Sequence, residues 1–131
     1  MHALDRATGK PVWSHDLIGD FGGNVRVRGF SYSPLAYKDT VIMMVGGKDA
    51  SVIAFRQSDG SVVWKSGSFR NSHASPILID VDGQQQLVAF MFAEVVGMDP
   101  NDGCVLWTHP HPTDFGLHIS MPVWVRTTSC C

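Results

Sequence analysis

The stretch AFRQSDGSVVW, Ala54–Trp64, occurs three times in the chain in variant form. ALDRATGKPVW, Ala3–Trp13, precedes it and GMDPNDGCVLW, Gly97–Trp107, follows it. Each copy opens on a small residue, has glycine six positions later and closes on tryptophan four after that. The closing tryptophans stand 51 and 43 residues apart. Self-similarity at a period of about 40–50 residues marks a repeat architecture and decides the fold before any local reading does.

Within one copy, an apolar run (Val52, Ile53, Ala54, Phe55) precedes a polar turn that ends in Gly60. A second β-prone run, Val62-Val63-Trp64, follows. Two such runs joined by a short glycine-bearing loop signal a β-hairpin. Glycine near the loop exit adopts φ > 0 without a Cβ clash. Thr8, Asp59 and Asp102 stand just before the three glycines, where short polar side chains can bond the turn backbone. Each tryptophan carries a large apolar ring and one N–H, so docking on a neighbouring unit with a backbone acceptor is expected.

A serine-proline signature repeats at the same period. Ser33-Pro34-Leu35 returns as Ser75-Pro76-Ile77 and, more loosely, as Ser120-Met121-Pro122-Val123. Proline in a strand pattern points to a strand start or an edge. The chain in order then gives an all-β protein, a partial β-propeller of four-stranded antiparallel blades. Residues 1–16 are the outer strands of a first blade, 31–66 a second blade and 73–109 a third. Residues 119–126 are the first strand of a fourth blade. Residues 17–30 read as a polar, glycine-bearing connection, and Gly46-Gly47-Lys48-Asp49 as a loop between strands. No segment has a helical period.

The 131 residues are 44% hydrophobic and 17% charged with net charge −2, which suits one globular domain or less. That charge gives no reason to propose nucleic acid or an anionic membrane as partner. No stretch is apolar enough for a transmembrane helix, since Leu87–Met98 is short and contains Glu94. Met1–Lys10 lacks the apolar core of a signal peptide and begins inside a repeat, so a fragment of a longer protein is expected. Cys104, Cys130 and Cys131 make no disulfide framework.

The motif A-x-D-x-x-T-G-x-x-x-W, complete in Ala3, Asp5, Thr8, Gly9 and Trp13, resembles the repeat of the PQQ-type (pyrrolo-quinoline quinone) β-propellers. That superfamily includes quinoprotein dehydrogenases and BamB-like proteins, which help to assemble outer-membrane β-barrels. The second copy keeps Ala54, Gly60 and Trp64 but has Arg56 for the aspartate. The third keeps Asp99, Gly103 and Trp107, with Gly97 for the alanine and Asp102 for the threonine. The resemblance implies an eight-bladed or similar parent, periplasmic or otherwise exported. The motif residues are structural, and the resemblance does not imply that PQQ is bound.

Three constellations invite an enzyme reading. Cys130-Cys131 resembles the vicinal pair of quinoprotein dehydrogenases but lacks the surrounding pocket sequence. Thr127–Cys131 breaks the strand-and-turn pattern and reads as a tail left by truncation or a frame shift. His15, His73, His109, His111 and His118 fall in blade-connecting segments, at spacings that match no compact metal motif. Asp80-Val81-Asp82-Gly83 starts like a calcium loop but lacks the remaining ligands, so it reads as a turn. No catalytic, cofactor-binding or metal-ligating residue is assigned.

The connecting loops should gather on one face, with Arg28, Arg70, His73 and His118 as its candidate residues. A non-catalytic scaffold that binds a protein or peptide partner is the expected function. The remaining blades would come from a parent chain or from self-association. The alternative is a fragment of a PQQ-dependent dehydrogenase using PQQ with calcium.

Overall fold

Two-residue turns cut the β-prone runs into short strands. Lys38, Asp49 and Asp82 take φ of 51°, 55° and 53° at three of these turns, a conformation that aspartate tolerates better than most residues. The computed structural model describes residues 1–24, 29–115 and 118–125. Among them are ten strands and no helix.

The first hairpin is β1 (His2–Leu4) with β2 (Pro11–Ser14). One four-stranded antiparallel sheet has the order β3 (Leu35–Tyr37), β4 (Thr40–Gly47), β5 (Ala50–Arg56), β6 (Val62–Ser66). A second runs β7 (Ile77–Val81), β8 (Gln84–Phe90), β9 (Glu94–Met98), β10 (Val105–Pro110). Pro34 and Pro76 each stand immediately before the first strand of a sheet, where no ladder N–H is needed. Antiparallel four-stranded sheets in sequence order, repeated along the chain, are the blades of a partial β-propeller.

Burial follows from stacking. The middle sheet lies between the first hairpin and the last sheet, so both of its faces are covered. This explains why Val52, Ile53, Ala54 and Phe55 are all buried rather than alternating. With Ile42, Met44, Leu87, Val96 and Met98 they form the core. Every residue of β10 is exposed, because no described sheet covers its outer side.

Two expectations need correction. Gly46 and Gly47 belong to β4, and the turn is only Lys48-Asp49. The ladder to β5 shifts between Met44 and Gly47. Gly46, at φ +75°, supplies this bulge without a side chain, against Asn71. The connection after β2 is not merely polar. Leu17 is buried and Phe21 packs against the core, while Gly22 and Gly23 donate to the Ile18 and Leu17 carbonyls. Among the described residues, 119–125 pair with no strand. A fourth-blade strand there needs a ladder partner that the described residues do not supply. Residue 126 and the Thr127–Cys131 tail lie outside the described residues.

Candidate functional site

The three hairpin turns share one backbone. Gly9, Gly60 and Gly103 donate to the carbonyls of Asp5, Arg56 and Asp99 at 2.8–2.9 Å. All three glycines have positive φ, between 69° and 76°. The residue before each glycine accepts from the N–H two positions on. Thr8 Oγ1 receives Lys10, Asp59 Oδ1 receives Ser61 and Asp102 Oδ1 receives Cys104. Asp5 Oδ1 further gathers the N–H of Ala7, and the N–H and hydroxyl of Thr8. Asp99 Oδ1 holds both Asn101 donors. Arg56 cannot do this, and instead donates to Asp39 Oδ2 at 2.9 Å. Bonds to Thr8 and to Ser61 hold the Asp5 and Asp59 carboxyls below their ordinary range.

The opening small residue has a reason that spacing alone conceals. Ala3, Ala54 and Gly97 are the cross-strand partners of Trp13, Trp64 and Trp107. A larger side chain there would collide with the indole; a Cβ on Gly97 would already strike the Trp107 ring.

Two of the tryptophans reach the next unit. Trp13 Nε1 donates to the Gln57 carbonyl at 2.9 Å, and its ring covers Gly60. Trp64 Nε1 donates to the Pro100 carbonyl at 3.1 Å, and its ring covers Gly103. In both cases the acceptor stands three residues before the turn glycine. A Cβ on Gly60 would meet the Trp13 ring at 2.6 Å. His15 completes the first joint. Its Nε2 donates to the Gly60 carbonyl at 2.6 Å and its ring stacks on Phe55 at 4.8 Å. Trp107 differs: its Nε1 donates to Gln86 Oε1 of its own sheet.

The segments that link sheet to sheet share one end of the molecule with the β4–β5 and β8–β9 turns. Asn24 donates to the Val45 carbonyl, buried Asn71 to Met44 and Phe92 to Arg70. His111 donates to the Ala93 carbonyl. Among the candidate loop residues, Arg70 is exposed with its guanidinium 4.3 Å from the Phe92 ring centroid, a cation–π contact. His118 is buried in a stack with Phe90 and His111, at 5.2 and 5.1 Å. Burial first, and then the neighbouring His111, pushes its imidazole below the ordinary value. Among the described residues its Nε2 has no hydrogen-bond partner. His73 stands apart from this stack, its Nδ1 2.6 Å from Ser31 Oγ. Arg28 lies outside the described residues.

Asn71 was not singled out by sequence. Its context, Asn71-Ser72-His73, carries no signal, since its role depends on β4 lying beside the connection. His15, 40 residues from Phe55 in the chain, is hidden for the same reason. Among the described residues no three His, Cys, Asp or Glu side chains converge as metal ligands. Asp80 Oδ1 accepts from Gly83 within its own turn. Cys130 and Cys131 lie outside the described residues.

Antiparallel four-stranded sheets repeated in sequence order define a partial β-propeller. The family described as outer membrane protein assembly factor BamB matches residues 1–120. The chain belongs to that family. No match to a curated protein was found. No helix among the described residues is long and apolar enough to cross a membrane.

Proposed function

We propose that this chain is a non-catalytic propeller module that binds a protein or peptide partner on its connecting face. The family's description as an outer membrane protein assembly factor supports a role in protein assembly. The observation that carries the reading is a set of exposed apolar residues in the connection after β10. Phe115, Ile119 and Met121 are exposed at 74%, 71% and 54%, close in sequence to the His111–His118 stack. Arg70, held against Phe92, is also exposed on that side. Large apolar groups with an arginine anchor are the composition of binding hot spots. The exposed β10 edge adds a strand that an extended peptide can extend by main-chain hydrogen bonds.

The test is an NMR titration with a synthetic peptide copying an extended, alternating strand of an outer-membrane barrel. Saturable shifts along 91–93, 111–115, 118–121 and β10 are expected. Arg70→Glu and Phe115→Asp should each weaken binding about tenfold, the loss of about 1.4 kcal/mol, with an unchanged melting temperature. Absence of saturable binding would overturn the reading. So would saturable uptake of PQQ with Ca²⁺ by a longer protein bearing this segment, coupled to dye-linked alcohol oxidation, which is what the dehydrogenase alternative requires.

A further inference from the structure

At the end of the sheets opposite the connections, the seam between the middle and last sheets holds a cavity of about 100 Å³. Two turns meet across it, Lys38-Asp39 between β3 and β4 and Pro100-Asn101 ahead of β10. The Tyr37 hydroxyl and Lys38 Nζ both donate to Asn101 Oδ1, at 3.1 and 2.6 Å. A neutral and a charged donor thus converge on one uncharged oxygen. An ammonium has three N–H donors, and among the described residues only Asn101 accepts from this one. Among those residues no carboxylate forms an ion pair with it, and the neighbouring Asp39 is taken by Arg56 at 2.9 Å. Val63 and Pro100 give the cavity an apolar wall. The backbone adds an independent mark. Lys38 has φ of 51°, where the same turn position of the last sheet carries Asp82. Aspartate and asparagine tolerate this conformation better than lysine. The turn therefore holds a long basic side chain against its own backbone preference.

We propose that this seam binds a carboxylate on a short aliphatic stem, carried by a free acid or by an acidic side chain. One carboxylate oxygen takes the place of Asn101 Oδ1 between the Lys38 ammonium and the Tyr37 hydroxyl. The stem lies against Val63 and Pro100. Charge favours the exchange, because an ammonium bonds a carboxylate more strongly than a neutral amide. Asn101 is exposed and stays tied to Asp99 through Nδ2, so its oxygen can turn aside. A cavity of this size holds a few waters, the room that a carboxyl group with a short stem needs. The site lies away from the connections and stands independently of the partner-binding reading above.

An NMR titration of the 131-residue chain with sodium propionate, against sodium chloride at equal ionic strength, tests it. Propionate should give saturable shifts at Lys38, Asp39 and the Asn101 side-chain amide, with a midpoint on the order of 1–10 mM for a ligand of so few atoms. Lys38→Asn should weaken binding about tenfold or more, through loss of a charge-assisted bond. Asparagine takes the left-handed turn more readily than lysine, so this variant folds as the parent does. Asn101→Ala should tighten binding about threefold, because the competing acceptor is gone. A lysine that merely braces the seam predicts neither change. The α-amide of N-acetylglutamate carries the same group on a peptide unit. Binding as tight as that of propionate assigns the site to acidic side chains, and its exclusion assigns the site to free acids. Shifts no different from those in chloride overturn the proposal. A Lys38→Asn chain that binds propionate as the wild type does overturns it too, because the carboxylate is then held elsewhere.

Discussion

Gly60 meets two separate demands. Its φ of +73° favours a residue without a Cβ, and the Trp13 ring occupies the volume that a Cβ would fill. Gly9 meets only the first demand. Substituting valine at the two positions therefore separates backbone strain from lost packing: Gly60→Val should lower stability clearly more than Gly9→Val in urea denaturation. Trp64, 8% exposed, fills the second joint. Its replacement by alanine should cost about 3–5 kcal/mol by the same assay, since it empties a packed site and leaves the Pro100 carbonyl without its donor. A loss below about 1 kcal/mol would show that the indole is not a packed element.

At the scale of elements, the connection carrying His118 is set to respond to acid. The folded imidazole titrates below the ordinary 6.5, through burial and then through His111. The detached segment thus binds a proton more readily than the docked one. Docking is fully stable above about 6.5 and weakens as pH falls through the lower folded value. Hydrogen exchange at 111–115, corrected for intrinsic rates, should accelerate as the pH falls below 6.5. His118→Phe, which keeps a ring against Phe90, should flatten that dependence. Such a segment also marks the limit of what the sequence discloses. The strands and turns were legible because period, glycine and tryptophan are local and recur. The Gly46-Gly47 bulge was not, because a glycine pair reads as a loop unless its ladder partner in β5 is known. The burial of Leu17 and Phe21 was likewise hidden, since it depends on β4 and β5 lying across the connection. The candidate loop residues could be named from their positions in connections. That Arg70 meets Phe92 and His118 meets His111, while His73 turns to Ser31, depends on tertiary placement.

In the molecule as a whole, charge does little. The ion pair among the described residues is Arg56–Asp39, exposed at 2.9 Å, while His15 Nδ1 stands 3.9 Å from Asp20 Oδ2. The joints are made of apolar rings and main-chain bonds. Raising sodium chloride from about 0.05 to 0.5 M should therefore move the melting temperature by less than about 2 °C, because screening acts mainly on exposed charge pairs that contribute little. A shift of many degrees would place the cohesion of the sheets in electrostatics instead. Stability is then a sum over neighbouring units and the seams between them, as in other repeat proteins.

The acceptor at each joint is a main-chain carbonyl, supplied by glutamine in one case and proline in the other. Recognition there reads no side chain beyond the absence of one at glycine. A gene segment encoding one blade can consequently be duplicated, exchanged or diverge along most of its length, and its product still fits the units on either side. The loops are thereby released to diversify while the joinery stays constant.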